Sequence, residues 1–384
     1  MTERHWSVSV KDSNNDTSPY APLRSFNLVR AKPVLLTPPD NTESDGTLFT
    51  WEHQGQGGLQ TEFAFRRKAF IEGVGLGDLV EQTTPATNIL RHIAHGGVQW
   101  VAVGNGGMVI TSPDGITWTE QTTPTTANLW GVAHNGTQFV AVGESGAVLT
   151  SPDGVTWTAQ SPPFASLRNV AHGGNLWVAV GGGGVVMTSP DGVTWTTQTT
   201  PTTSTMYGVA HDGTLWVVVG DSGAIWTSPD GVTWTTQTRP ANQNMRGIAH
   251  AGTQFVAVGE NGTVWTSPDG VTWTAQTSYI TVWLYDAAHD GTQWVVVGAS
   301  GAVLTSTDGV TWTLQTTPTA EWLYGVAHDG SQWVIVGSDG STVFTTMSGE
   351  LGNKFWNGTT WVIEETFITS GDEFLTLPAG AWDD

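Results

Sequence analysis

The sequence predicts an all-β protein whose main body is a seven-bladed β-propeller, and a repeated phrase is the first reason. The seven residues Ser-Pro-Asp-Gly-Ile-Thr-Trp that begin at Ser112 return five more times with small changes. Successive copies begin 39, 38, 39, 39 and 39 residues apart, at Ser151, Ser189, Ser228, Ser267 and Ser306. A fixed period of about 40 residues with short strands and glycine turns is typical of propellers and solenoids.

Each period contains four β-type segments, which is the second reason. In the second period these segments are residues 129–134, 138–143, 147–150 and 156–160. The connections are rich in turn-forming residues, such as Asn135-Gly136 and the 151–154 turn. Four short antiparallel strands that are repeated radially form a propeller blade.

The Ala-His dipeptides give the number of blades. The dipeptide ends a predicted inner strand in seven periods, at His95, His134, His172, His211, His250, His289 and His328. The last period lacks the Ser-Pro-Asp-Gly turn, because residues 347–349 read Met-Ser-Gly. Residues 79–85 closely copy residues 118–124, which are the fourth strand of the first period. We therefore predict a strand-swap closure, in which residues 79–84 complete the seventh blade and remove its open edge.

The repeated phrase Ser-x-Asp-Gly-x-Thr-Trp resembles the short form of the Asp-box, or BNR repeat, of sialidase-like propellers. The resemblance covers about 270 of the 384 residues. It implies that each Asp accepts hydrogen bonds from its own turn and that each Trp packs between blades. A structural role for these Asp residues is also what turn chemistry favours over a catalytic one.

Composition narrows the classes of partner. The chain has 13 Lys and Arg against 34 Asp and Glu, a net charge of −21, which disfavours binding to nucleic acid or to anionic membranes. It has no cysteine, so disulfides and thiolate metal sites are excluded. The polar start predicts neither a signal peptide nor membrane insertion, and no motif calls for a cofactor or a metal.

The regions that flank the propeller lack the repeat and have a different sequence pattern. We interpret residues 1–32 as an N-terminal arm with a strand near residues 6–10, and residues 33–72 and 353–384 as two halves of one sandwich. The turn at Thr37-Pro38-Pro39-Asp40 and the strands near residues 47–51 and 61–68 resemble the first half of a fibronectin type III-like (Ig-like) module of tailed-phage virion proteins. Residues 354–362, with Asn357-Gly358, and residues 374–382 resemble its continuation.

The propeller, residues 78–347, is therefore interpreted as an insertion into a hairpin of that sandwich. Glycine-rich connectors at residues 73–77 and 349–352 frame it. The strand-swap closure would bring the two ends of the insert side by side, as an insertion requires. The last two strands of such a module are missing, so we expect either a longer parent protein or another cover for that edge.

The candidate site is a column of residues four positions before each Ala-His histidine. We call these seven the mouth residues, because they are expected to surround one opening of the propeller: Arg91, Trp130, Arg168, Tyr207, Arg246, Tyr285 and Tyr324. Trp283 and Trp322 add aromatic area two residues upstream. Arginine with aromatic side chains is typical of carbohydrate and carboxylate sites. The alternative is that these residues cap the interblade core, with each Arg paired to a local carboxylate.

The three mouth arginines also resemble the carboxylate-binding Arg trio of sialidases, which implies acidic partners such as Asp286 and Glu321. Catalysis needs an asymmetric pair of perturbed groups, and the repeat pattern reveals no unique pair. We therefore assign no catalytic residue. The seven Ala-His histidines are interpreted as structural, since ring positions this far apart could not converge on one metal ion.

These observations favour a non-enzymatic protein of a tailed-phage virion, exposed on the tail or fibre, that attaches to a host-surface glycan or protein. Its expected partners are other virion tail proteins and the host surface, and homo-oligomerisation is left open. Two alternatives also remain open: a structural spacer or decoration protein of the virion, and a sialidase-like glycoside hydrolase.

Overall fold

The computed structural model describes residues 79–163, 165–338 and 342–346 in full, and seven short strands near the two ends of the chain by their backbone. The chain divides into two units. One is Val74–Gly349, and the other combines Met1–Gly73 with Glu350–Asp384.

The larger unit is a seven-bladed propeller of four-stranded antiparallel sheets, as predicted. The inner strands are Leu90–Gly96, Leu129–His134, Leu167–Gly173, Met206–His211, Met245–Ala251, Leu284–His289 and Leu323–His328. The second strands are Gln99–Gly104, Phe139–Gly143, Leu176–Gly181, Trp216–Gly220, Gln254–Gly259, Trp294–Gly298 and Trp333–Gly337. The third strands are Val109–Ser112, Val148–Ser151, Val186–Ser189, Ile225–Ser228, Val264–Ser267, Val303–Ser306 and Val343–Thr346. The outer strands of blades one to six are Thr119–Glu120, Thr158–Ala159, Thr196–Thr197, Thr235–Thr236, Thr274–Gln276 and Thr313–Leu314.

A short 3₁₀ turn joins the second and third strands in each of the first six blades. These turns are Asn105–Gly107, Glu144–Gly146, Gly182–Gly184, Asp221–Gly223, Glu260–Gly262 and Ala299–Gly301. Their middle residue has a positive φ, for example 57° at Ser145 and 67° at Gly183.

The outer strand of the seventh blade comes from the other end of the propeller. Leu79–Glu81 pairs antiparallel with Val343–Thr346, with Glu81 opposite Phe344 and Val80 opposite Thr345. Gln82 continues the contact, since its backbone N–H donates to the Val343 carbonyl at 2.7 Å and its side chain to Thr345 Oγ1 at 2.8 Å. The predicted closure by strand exchange is therefore present.

The core lies between blades, which explains why the second strands are apolar on both faces. In blade one, Trp100 and Ala102 pack with Val334 and Val336 of blade seven, whereas Val101 and Val103 pack with the residues of blade two. Successive strand residues point to opposite faces, so each sheet contributes to two interblade cores.

The repeated Ser-x-Asp-Gly turn is a structural element in the part of the chain that the structure describes. Asp153 Oδ1 accepts the N–H groups of Val155 at 2.9 Å and Thr156 at 2.8 Å, and Trp157 Nε1 donates to the Gly154 carbonyl at 2.7 Å. The backbone donors lower the pKa of the equivalent Asp191 to about 2. The turn also touches the preceding blade, because a Cβ at Gly154 would lie 2.7 Å from Val101 Cγ2.

The smaller unit is described only as paired strands. One three-stranded sheet has Glu373–Thr376 as its central strand, with Val10–Asp12 on one side and Thr366–Ile368 on the other. Gly46–Phe49 pairs with Phe65–Lys68, and Lys354–Trp356 pairs with Trp361–Ile363. The predicted turn at residues 37–40 lies outside the described residues, and the sandwich and its boundaries stay predictions. No helix in the described part of the chain could span a membrane.

Candidate functional site

Each mouth residue lies at a β-bulge of its inner strand. In blade one, Leu90 pairs with Gly104 and His92 with Val103, so Arg91 is the extra residue between two ladder positions. The same register shift occurs at the equivalent position in the other six blades. A bulge changes the direction of a side chain, and bulges are common beside binding and active sites.

Glycine at the end of each second strand makes room for this bulge. Gly104 lies directly against the Ile89 carbonyl, so a Cβ there would clash with it. The next residue, Asn105, donates its backbone N–H to the same carbonyl at 2.9 Å. The geometry at the mouth is thus fixed by the backbone, independently of the side chains that it carries.

The seven mouth residues line one cavity, whereas Trp283 and Trp322 are not among its lining residues. The cavity has a volume of about 330 Å³ and is lined by all seven together with His92, Asn128, Asn169 and Asp286. Its volume falls at the lower end of the range of about 300 to 1,000 Å³ that is common for small-ligand sites.

Arginine and aromatic side chains alternate and stack around the cavity. The guanidinium carbon of Arg168 lies 3.8 Å from the centre of the Trp130 ring. The guanidinium carbon of Arg246 lies 3.9 Å from the centre of the Tyr207 ring. Arg91 lies 4.5 Å from the centre of the Tyr324 ring. Such cation–π contacts each contribute about 0.5 to 2 kcal/mol and hold the guanidinium plane in one orientation.

An odd number of blades interrupts the alternation between blades six and seven. Tyr285 and Tyr324 are neighbours there, with ring centres 4.9 Å apart. Trp322 stacks on Tyr285 at 6.0 Å with an interplanar angle of 29°, and Trp283 lies 6.3 Å from Tyr285. We call these four residues the aromatic platform. Burial, with Tyr324 nearby, raises the pKa of Tyr285 to about 12, so its hydroxyl stays protonated.

The three mouth arginines have no carboxylate partner among the described residues. Arg91 Nε donates to the side-chain oxygen of Asn105 at 3.0 Å, whereas the buried Nε atoms of Arg168 and Arg246 have no hydrogen-bond partner. Burial lowers the pKa of Arg168, but a guanidinium remains charged at neutral pH. The pairing of each Arg with a local carboxylate is therefore not found among the described residues, whereas capping of the interblade core stays an open alternative. The mouth concentrates positive charge in a chain of net charge −21.

The structure also reveals a pair of titratable groups that the repeat pattern did not. His92 Nε2 lies 3.8 Å from Asp286 Oδ2, one position further along the inner strands than the mouth residues. The equivalent residue is glycine in four blades. One of these is Gly325 of blade seven, which lies between the blades of His92 and Asp286, and a Cβ there would lie 3.0 Å from the Cα of His92. The repeat pattern alone did not reveal this pair, and the assignment of no catalytic residue stays a prediction. The signal in the sequence is the departure from glycine at His92, Asn169 and Asp286, of which His92 and Asp286 lie together.

Both members of this pair are held by backbone groups. Asp286 accepts the N–H groups of Ala287 at 2.9 Å and Val326 at 3.0 Å, while His92 Nδ1 lies 3.1 Å from the Val132 carbonyl. Burial raises the pKa of Asp286, although His92 and the two donors oppose the rise. The pair thereby links the inner strands of blades one, two, six and seven. Glu321 does not line the cavity; it is exposed and accepts the Ser338 hydroxyl at 2.8 Å.

The Ala-His histidines have structural contacts in the described blades. His134 Nδ1 accepts the Gly136 N–H at 3.0 Å, and its ring centre lies 4.4 Å from that of Phe139. Burial lowers the pKa of all seven. No cluster of three or more metal-ligating residues occurs in the part of the chain that the structure describes.

Solved structures share the propeller fold with this chain. A YCF48 bound to a D1 peptide is 18% identical, with a TM-score of 0.58, covering 71% of this chain and 95% of its own. The WD40 propeller domain of Doa1 is 12% identical, with a TM-score of 0.60, over 72% of this chain and 98% of its own. A catalytically inactive virginiamycin B lyase from Staphylococcus aureus with quinupristin is 12% identical, with a TM-score of 0.63, over 70% of this chain and 99% of its own.

No protein-family model and no curated protein sequence matches the chain. The three structures include a lyase and propellers that are not described as enzymes, so they show the fold alone.

Proposed function

We propose that the mouth of the propeller binds an acidic glycan and that the protein attaches a particle to a cell surface without catalysing a reaction. The observation that carries this proposal is the set of three stacked guanidinium groups without a carboxylate partner among the described residues. An unpaired, pre-oriented guanidinium can bind a ligand carboxylate through two parallel hydrogen bonds. Little ordering entropy is then lost on binding.

A glycan suits this surface because sugars are amphipathic. Their hydroxyl and carboxylate edges fit Arg side chains, and their C–H faces fit aromatic rings. Large aromatics remain exposed at the rim, with exposed fractions of 37% for Trp283 and 48% for Trp322. A structural spacer would gain nothing from such exposure, so we rank that alternative lower.

The biological setting is proposed from sequence resemblance alone. The Asp-box-like turns and the flanking fibronectin type III-like segments favour a tail or fibre protein of a tailed phage, exposed on the virion. The sandwich would connect the propeller to other virion tail proteins, and the mouth would face the host surface.

A glycoside-cleaving or lyase activity is the second candidate, since His92 and Asp286 line the cavity. Their contacts argue against it. Asp286 uses both carboxylate oxygens to accept backbone N–H groups, and His92 Nδ1 and Nε2 face Val132 and Asp286. These contacts are explained by a structural role in holding neighbouring inner strands together, so we rank this candidate second.

A glycan array tests the proposal. We expect wild-type protein to bind sialylated or uronate-containing glycans and not their neutral counterparts, and Arg168→Ala to lose most of that signal. Arg239→Ala is the matched control, because Arg239 is exposed and does not line the cavity. Equal signals for acidic and neutral glycans would contradict the proposal. Release of free sugar that depends on Asp286 would favour the enzyme.

A further inference from the structure

The position two residues before each mouth residue has the same backbone role in the first six blades. In each of these blades its carbonyl oxygen accepts a backbone N–H of the 3₁₀ turn at 2.8 to 2.9 Å. The residue is Ile89 in blade one and Trp283 in blade six. The fold therefore uses the backbone at this position and does not require a particular side chain.

The side chains at this position differ sharply around the propeller. Four blades carry small polar residues, namely Asn128, Ser166, Thr205 and Asn244. Blades six and seven carry Trp283 and Trp322, and both are exposed. Exposing a large apolar surface is unfavourable, and neighbouring exposed aromatic side chains are typical of binding surfaces. These two Trp residues therefore indicate a ligand-binding surface.

The two Trp residues continue the arginine surface rather than forming a separate patch. The Arg246 guanidinium carbon lies 4.8 Å from the centre of the Trp283 ring and 3.9 Å from that of Tyr207. Trp322 is supported by Tyr285 and lies 6.2 Å from Tyr324. The aromatic platform across blades six and seven thus lies between two arginines, Arg246 of blade five beside Trp283 and Arg91 of blade one on Tyr324.

We propose that the aromatic platform is a second subsite, which stacks a neutral pyranose ring linked to the acidic sugar that the arginines hold. This inference rests on the proposed function. It makes the ligand at least a disaccharide with one acidic and one neutral unit. A neutral sugar fits because it presents a C–H face to Trp322 while its hydroxyl edge can meet Arg246.

The test compares monosaccharides with disaccharides by isothermal titration. The probes are methyl glycosides of glucuronic acid and N-acetylneuraminic acid, and each acid linked to galactose. We expect Trp322→Ala to weaken disaccharide binding about tenfold, as for a hot-spot contact, and to leave monosaccharide binding unchanged. Arg168→Ala should weaken both. Thr205→Ala, at the equivalent position of blade four, should change neither.

Each other outcome overturns the inference. Equal disaccharide affinity of Trp322→Ala and wild type would show that the platform does not contact the ligand. Equal weakening of both probes would place Trp322 in the acidic subsite. Dependence on Trp322 for an acidic aromatic peptide, but not for the disaccharides, would identify a peptide site. If wild type binds none of the acidic sugars, the proposed function itself fails, and this inference fails with it.

Discussion

The guanidinium of Arg168 stacks on the ring of Trp130, with 3.8 Å between the guanidinium carbon and the ring centre. The two residues belong to adjacent blades and occupy equivalent bulge positions, so the contact crosses a blade boundary. It orders an arginine without neutralising it. A carboxylate partner would have ordered the side chain equally well but would have cancelled the charge that an acidic ligand needs.

The closure by exchanged strands predicts a large effect of a small deletion. Removal of residues 78–85 takes away the strand Leu79–Glu81 and exposes the edge Val343–Thr346. We expect loss of cooperative thermal unfolding or aggregation, because an unpaired edge is a template for other chains. Calorimetry of the deletion variant measures this, and melting identical to that of wild type would argue against a closing role for the strand.

The seven Ala-His histidines predict loss of stability in mild acid. Their pKa values are lowered by burial, so the unfolded chain binds protons more readily near pH 6.5. The stability that they contribute is complete above pH 6.5 and is lost as the pH falls below it. Urea unfolding between pH 8 and pH 4.5 measures the slope.

His172→Phe is the informative variant for that slope. The ring centres of His172 and Trp177 lie 4.8 Å apart in wild type. The substitution keeps an aromatic ring against Trp177 and removes one titratable group. The variant should lose less stability than wild type between pH 7.5 and pH 5. Identical slopes, or a wild-type midpoint that does not change over this range, would contradict the assignment. The Asp residues of the repeated turns titrate in a separate window below pH 3.8, since their pKa values are lowered.

The pair His92–Asp286 predicts a structural phenotype. Asp286→Ala leaves the N–H groups of Val326 and Ala287 without an acceptor, which should cost about 1 to 3 kcal/mol of unfolding free energy. The pKa of Asp286 is raised, so protonation stabilises the folded state. The difference between wild type and Asp286→Ala should therefore be largest at low pH and should shrink as the pH rises through the folded pKa. A variant with unchanged stability at every pH would refute the structural role.

The repeat could be read from the sequence because it fixes the backbone. The period, the glycines that admit close approach and the apolar second strands gave the number of blades, the closure and the convergence of the mouth residues. The stacking of Arg168 and Arg246 on neighbouring aromatics depends on distances between blades, which the spacing of residues along one chain does not contain. For the same reason the contact between His92 and Asp286, 194 positions apart in the sequence, required the closed propeller.

The sandwich is a different case, because its evidence is sequence resemblance and a few paired strands. Gly46–Phe49, Phe65–Lys68 and Glu373–Thr376 fall where strands were predicted. How these strands are assembled into a domain stays a prediction, as does the insertion of the propeller between its halves.

The most direct test of the central claim is the affinity of the mouth for an acidic disaccharide, measured by isothermal titration for wild type, Arg168→Ala and Arg239→Ala. If the mouth is the binding site, Arg168→Ala should lose about 1 to 3 kcal/mol of binding free energy with little change in melting temperature, and Arg239→Ala should match wild type. Unchanged affinity of Arg168→Ala together with a lowered melting temperature would contradict the claim and make the mouth residues packing residues.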